Sequence, residues 1–181
     1  MLAVVGIGGL RLWQSESLSG TAPPRLQHLV VDGGPPPSPF PPSATEAAAR
    51  RGVEFALSYD SVLATDVVVI DIVRVAPTTR RMDVIAALLD VAEYLRGRRF
   101  ARVLLARGGA RRFELTGEYF AELGGVRQRE VNPMFLLRSI PGHARDMDGG
   151  TPYPPARATN LMGAVAEMER ANDFVDRWVA P

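Results

Sequence analysis

The order of apolar and polar positions is clearest between Thr65 and Gly109, where it predicts a strand, a helix and a second strand. Val67 to Val75 is an almost unbroken β-branched run, typical of a strand covered on both faces. After Pro77, apolar residues recur at the spacing of one helical face: Met82, Ile85, Leu88, Leu89, Ala92 and Leu95. Val103 to Ala106 then predicts the second strand. One helix between two strands indicates a right-handed parallel crossover.

The polar positions of this helix predict its ends and its solvent side. Thr78 or Thr79 is expected to cap the start, and Gly97 to take the left-handed conformation after the last turn. Asp83, Asp90, Glu93 and Arg96 fall off the apolar stripe.

Further elements flank the unit on both sides. Ser43-Ala44-Thr45-Glu46 has the pattern of a capping box and predicts a helix start. Val53 to Tyr59 alternates strictly, which indicates a half-exposed strand. Four elements are predicted beyond Gly109: a strand over Arg112–Leu115, a helix over Gly117–Leu123, a strand over Met134–Ile140 and an amphipathic helix over Asn160–Val179.

Together the elements predict a single α/β domain over residues 43–181. We expect a mixed, mostly parallel sheet built on the central β-α-β unit (65–109), with the C-terminal amphipathic helix packed on it. Residues 33–42, GGPPPSPFPP, are typical of an extended proline-rich connector. Residues 1–32 form an apolar, glycine-rich segment with two candidate strands.

The apolar run before Arg11 is shorter than the ~20 residues that a transmembrane helix requires. It also lacks the basic start and small-residue cleavage site of a signal peptide. We therefore expect a cytoplasmic protein. If residues 1–13 are the remnant of an N-terminal anchor, the alternative is a membrane-tethered or exported protein.

Composition excludes several classes of site. The 181 residues carry a formal net charge of +1, which points to neither nucleic acid nor membrane. All 21 basic residues are arginine, so a Schiff-base lysine or a Walker-type lysine is excluded, and a GC-rich, bacterial-like genome is indicated. Cysteine is absent and histidine occurs only at His28 and His143. Disulfides, thiolate sites and three-histidine metal sites are excluded, and we expect no metal or cofactor.

Ligands of open α/β sheets bind beyond the carboxyl ends of the strands. In the predicted crossover two loops meet at that edge, Arg74–Arg81 and Arg107–Arg112. Their hydroxyl and guanidinium groups beside a helix start suit a phosphate or a carboxylate. The predicted ligand-binding residues are Thr78, Thr79, Arg80, Arg81, Arg107 and Arg112, with Arg111 beside them. The alternative is a solvated arginine surface without a ligand.

Asp71 is a carboxylate on a strand whose neighbours of the same parity are valines. A buried carboxylate needs a partner, so we expect an ion pair with Arg107 or Arg138. The alternative is an acid that acts in catalysis or binds a ligand.

Two resemblances extend this picture. The strand ATDVVVIDI resembles that of nucleoside 2-deoxyribosyltransferase-like and TIR-like domains, in which a glutamate from the following helix attacks or stabilises the ribosyl carbon. The resemblance makes Glu93, together with Asp71, a catalytic candidate, although the family's sequence context for that glutamate is absent.

Gly6-Ile7-Gly8-Gly9-Leu10, with Asp32, resembles the dinucleotide-binding turn of medium-chain dehydrogenases. Arg11 stands where the third glycine is expected, and the following QSESLSGTAPP cannot form the required amphipathic helix.

These observations favour a non-catalytic binding or interaction module, whose ligand is an anionic small molecule or a protein partner. The rival hypothesis is an enzyme that acts on a nucleotide or another N-glycoside. The third is the soluble part of a membrane-tethered protein. The oligomeric state is left open.

Overall fold

A computed structural model of the chain describes residues 39–125, 133–154 and 161–181. They belong to the compact unit Pro36–Pro181. The elements in chain order are α1 (Pro42–Ala49), β1 (Val53–Tyr59), β2 (Val67–Val75), α2 (Arg81–Tyr94), β3 (Arg102–Arg107), β4 (Ala110–Thr116), α3 (Gly117–Gly124), α4 (Pro133–His143) and α5 (Leu161–Val179). The dinucleotide-like turn, both candidate strands of residues 1–32 and most of the proline-rich connector lie outside the described residues.

The four strands form one sheet in the order β1-β2-β3-β4. β2 and β3 are parallel and α2 connects them, which confirms the predicted β-α-β unit and the α/β class. The expectation of a mostly parallel sheet is wrong, because β1 and β4 both run antiparallel to their neighbours. The loop of residues 60–66 joins β1 to β2 and a two-residue turn joins β3 to β4, and direct connections of this kind return the chain antiparallel.

The turn between β3 and β4 shows why the pairing is antiparallel. Gly108 and Gly109 both have positive φ, +56° and +82°, as a two-residue type I′ hairpin requires. The sequence RGGARR, part of the predicted ligand-binding edge, therefore contains a tight hairpin turn.

The helices pack on the sheet face formed by the alternate apolar positions of each strand. Phe55, Ile70, Ile72, Leu105 and Phe113 of this face are buried in one continuous core with the helices. α5 crosses the face as predicted: Trp178 is fully buried, stacks on Phe55 with ring centroids 5.9 Å apart, and donates from Nε1 to the Ala106 carbonyl at 3.0 Å.

The prediction of a strand over Met134–Ile140 is wrong, since these residues lie within α4. A short apolar run is compatible with either a buried strand or a buried helix. Pro133 stands at the first helical position, where its fixed φ favours a helix start. Backbone pairing resumes just after α4, where Arg145 and Glu114 form a bridge.

Two predicted caps are replaced by other groups. α1 follows Pro41 and has no side-chain cap, so the expected capping box at Ser43 does not form. At the start of α2 the Asp83 carboxylate accepts from the Arg80 N–H at 2.9 Å, so neither threonine caps this helix. The left-handed glycine expected after the last turn of α2 is present, since Gly97 has a φ of +91°.

Candidate functional site

The carboxyl end of β2 and the start of α2 form one wall of a cleft, and α5 forms the other. The cleft has a volume of about 530 Å³. Its floor consists of four valines, Val75, Val84, Val175 and Val179. Its polar groups belong to Thr79, Arg80, Arg81, Asn172 and Asp176, with Met82 beside them. Three of the six predicted ligand-binding residues therefore line one cleft.

Arg81 faces α5 across this cleft and binds Asp176 with two hydrogen bonds, of 2.7 and 2.9 Å. These bonds raise the pKa of the guanidinium above its ordinary value. Both side chains are more than half exposed, and exposed ion pairs contribute only about 0–1 kcal/mol. A competing carboxylate or phosphate could therefore take the place of Asp176 at small cost.

Arg80 is the second cation of the cleft. Its side chain is exposed and makes no ion pair with any described residue. Its backbone N–H is already bound to Asp83, so what it offers a ligand is the guanidinium.

The two predicted threonines have different surroundings. The hydroxyl of Thr79 donates to the Gly52 carbonyl at 3.1 Å and ties the start of β1 to the β2–α2 loop. Thr78 is exposed and lies on the other side of that loop, in a polar cleft of about 490 Å³ that also contains Arg50 and Asp83.

Arg107 and Arg112 hold the end of α5. The Arg107 guanidinium donates to the carbonyls of Ile72 and Val73, at 2.9 and 2.8 Å, and to that of Val179 at 3.1 Å. Arg112 donates to the oxygens of Ala180 and Pro181, at 3.4 and 3.2 Å. Cations at a helix C-terminus are favourable because the last carbonyls carry partial negative charge. The sequence indicated an electropositive edge, and in the structure part of that charge binds the chain's own backbone.

Arg111 lies outside this group, since it forms an ion pair with Asp60 in the loop that joins β1 to β2. Its side chain therefore binds the β1–β2 loop and does not line the cleft.

Asp71 lies on the sheet face opposite the core helices, between Ala56 and Ala106 of the adjacent strands. The expected ion pair is absent: Arg107 binds the carbonyls named above, and Arg138 pairs with Glu167. Oδ2 instead accepts from the Gly109 N–H of the hairpin turn at 2.8 Å, while Oδ1 is buried without a partner among the described residues. The carboxylate thus fixes the turn beside its strand.

Glu93 lines a third cleft, of about 530 Å³, between α1 and α2. Arg50, Arg51, Asp90 and Tyr94 line it as well. Asp90 falls off the apolar stripe of α2, and yet its side chain is buried, with only 4% of the residue exposed. Its carboxylate accepts from Nε of Arg51 at 2.5 Å, and this hydrogen bond raises the pKa of Arg51. α1 packs against this side of α2 and buries a position that lies off the apolar stripe.

Sequence reasoning missed the α5 half of the first cleft. Asp176 falls on the polar side of the predicted helix, but nothing in the sequence places that side against Arg81, and Asn172 was not among the predicted site residues. No group of three or more histidine, cysteine, aspartate or glutamate side chains in the described ranges is arranged to hold a metal ion. Likewise, no helix of the described chain is long and apolar enough to cross a bilayer.

Comparison with models of protein families, with curated proteins and with solved structures gave no match.

Proposed function

We propose that this α/β domain is a binding module that takes a small anionic ligand in the α2–α5 cleft. The observation that carries the proposal is the pair Arg80 and Arg81 on the rim of one cleft. Arg80 has no ion-pair partner among the described residues, and the partner of Arg81 is exposed and exchangeable. Guanidinium groups bind carboxylates and phosphates through charge-assisted hydrogen bonds, often in pairs.

The site lies where ligands of α/β sheets are generally bound, beyond the carboxyl end of a parallel strand. Arg80 and Arg81 also stand at the N-cap and the first helical position of α2, where positive charge opposes the helix dipole. A local choice that disfavours the helix is expected where the residues serve binding.

Calorimetric titration with inorganic phosphate and with acetate tests the proposal. Arg80→Ala should abolish the binding heat, since it removes the guanidinium that has no competing carboxylate. Arg99→Ala removes the same charge from an exposed position beyond the other end of α2 and should bind like the unmodified protein. Equal binding by both variants, or no binding by the unmodified protein, rejects the site.

Asp176→Asn provides a gain-of-binding test of the same cleft. It frees the Arg81 guanidinium and removes a like charge, so affinity for both anions should rise about threefold to tenfold, as for one added charge-assisted hydrogen bond. Asp66→Asn, an exposed carboxylate before β2, is the matched control and should leave affinity unchanged. Weaker binding by Asp176→Asn would contradict displacement of the internal carboxylate.

An enzyme that acts on an N-glycoside is the second candidate, supported by the position of Glu93 in the polar α1–α2 cleft beside Asp90 and Arg51. In this proposal Glu93 attacks or stabilises the ribosyl carbon. Release of free base from a nucleoside by the purified protein, lost in Glu93→Gln, would favour this candidate over the binding module.

A further inference from the structure

We infer that the ligand of the α2–α5 cleft is an aliphatic monocarboxylic acid, whose carboxylate binds Arg80 and Arg81 and whose chain lies on the valine floor. This inference rests on the proposed function and adds the chemical class of the ligand. The observation behind it is that one cleft has apolar side chains on its floor and two guanidinium groups on its rim.

The floor of the cleft is part of the hydrophobic core. Val84 and Val175, each 2% exposed, belong to the core beneath the cleft, and the accessible apolar surface above them comes from Val75 and Val179, which are only partly buried. Met82 stands beside them, 36% exposed, with a flexible side chain that adapts to irregular apolar shapes. A ligand on this surface gains free energy by removing apolar area from water.

The polar groups available to a ligand are few. The Thr79 hydroxyl already donates to the Gly52 carbonyl, which leaves the two guanidinium groups, Asp176 and Asn172. A sugar or a nucleotide would bring several hydroxyl or ring groups onto valines, where each unpaired polar group is costly. A single carboxylate replaces Asp176 on Arg81 group for group, and an alkyl chain requires no hydrogen bonds.

A calorimetric series of butanoate, hexanoate, octanoate and decanoate measures the contribution of the floor. Affinity should rise about twofold to fourfold per methylene, the upper value being that of a fully buried methylene. The concentration of each acid is kept below its critical micelle concentration, so that only binding of the free acid is measured.

Met82→Ser should reduce this gain per methylene and leave inorganic phosphate binding unchanged, because phosphate contacts only the arginines. Met162→Ser is the matched control: Met162 is also an exposed methionine, on α5, and lies outside the cleft. It should retain the full gain. Thermal unfolding of both variants establishes that they are folded.

The outcomes separate this inference from the proposed function. An affinity that rises with the chain length of the acid, and rises less in Met82→Ser, supports both the anion site and the aliphatic ligand. Binding of phosphate that depends on Arg80, with all four acids binding equally, overturns the aliphatic ligand and leaves the anion site standing. Absence of any binding that depends on Arg80 overturns both.

Discussion

At the scale of single residues, the described arginines of this lysine-free chain differ in what they bind. Arg107 and Arg112 bind backbone carbonyls at the end of α5, Arg51 binds the buried Asp90, and Arg80 extends into solvent. The sequence predicted the location of these charges, but their partners lie far away along the chain. Residue type and spacing therefore could not distinguish a structural arginine from one available to a ligand.

Arg51→Ala should lower the free energy of unfolding by about 2–3 kcal/mol, because it leaves the Asp90 carboxylate buried without this guanidinium. This value is below that of a fully buried pair, since one third of the Arg51 side chain is exposed. Urea unfolding measures the change. Arg50→Ala, at the exposed neighbouring position, should shift stability by less than about 0.5 kcal/mol. Equal effects of the two substitutions would show that the pair contributes nothing.

At the scale of elements, local periodicity predicted the central unit, β1, β4, α3 and α5 correctly. It failed for α4, whose short apolar run has no distinguishing period, and it missed the second buried side of α2. Both α1 and α3 pack against α2, and the approach of α3 is close enough to require glycine. A β-carbon at Gly124 would lie 2.4 Å from the Ala92 carbonyl oxygen.

Gly124→Ala should therefore destabilise the protein by about 1–3 kcal/mol through overpacking of α3 against α2. Without a clash, replacing glycine by alanine in a helix would stabilise the protein by about 0.5–1 kcal/mol. A loss of stability would therefore show that the added methyl group clashes with α2. Gly142→Ala, in α4 where no atom lies within 4 Å of the added carbon, should be neutral or stabilising. Chemical denaturation of both variants decides between these outcomes, and a stabilised Gly124→Ala would contradict the close approach.

At the scale of the whole molecule, the helix layer on one sheet face brings α3 against α4 and buries Tyr119. Its ring stacks on His143 with centroids 3.8 Å apart, and its hydroxyl lies 2.9 Å from the Ser139 hydroxyl. Burial raises the pKa of Tyr119 to about 12, because the ionised phenolate is poorly solvated there. Folding thus favours the protonated form.

The sign of the pH dependence follows from this shift. The folded state retains the Tyr119 proton to a higher pH than the unfolded state, so this contribution is complete below pH 10.0 and is lost as the pH rises towards about 12. Urea midpoints should fall across this range for the unmodified protein and fall less for Tyr119→Phe. Identical slopes for the two proteins would show that Tyr119 does not carry the dependence.

Elements whose apolar residues repeat at a regular period could be derived from the sequence, because such a period depends only on neighbours along the chain. That was sufficient for the β2-α2-β3 crossover, for α5 and for the edge at which Thr79, Arg80 and Arg81 line a cleft. Three other features became visible only in the packed fold: Asp176 faces Arg81, Arg107 and Arg112 bind the end of α5, and Asp90 is buried against Arg51. These choices depend on which elements pack together, and a distant partner leaves no periodic signal in the segment that it contacts.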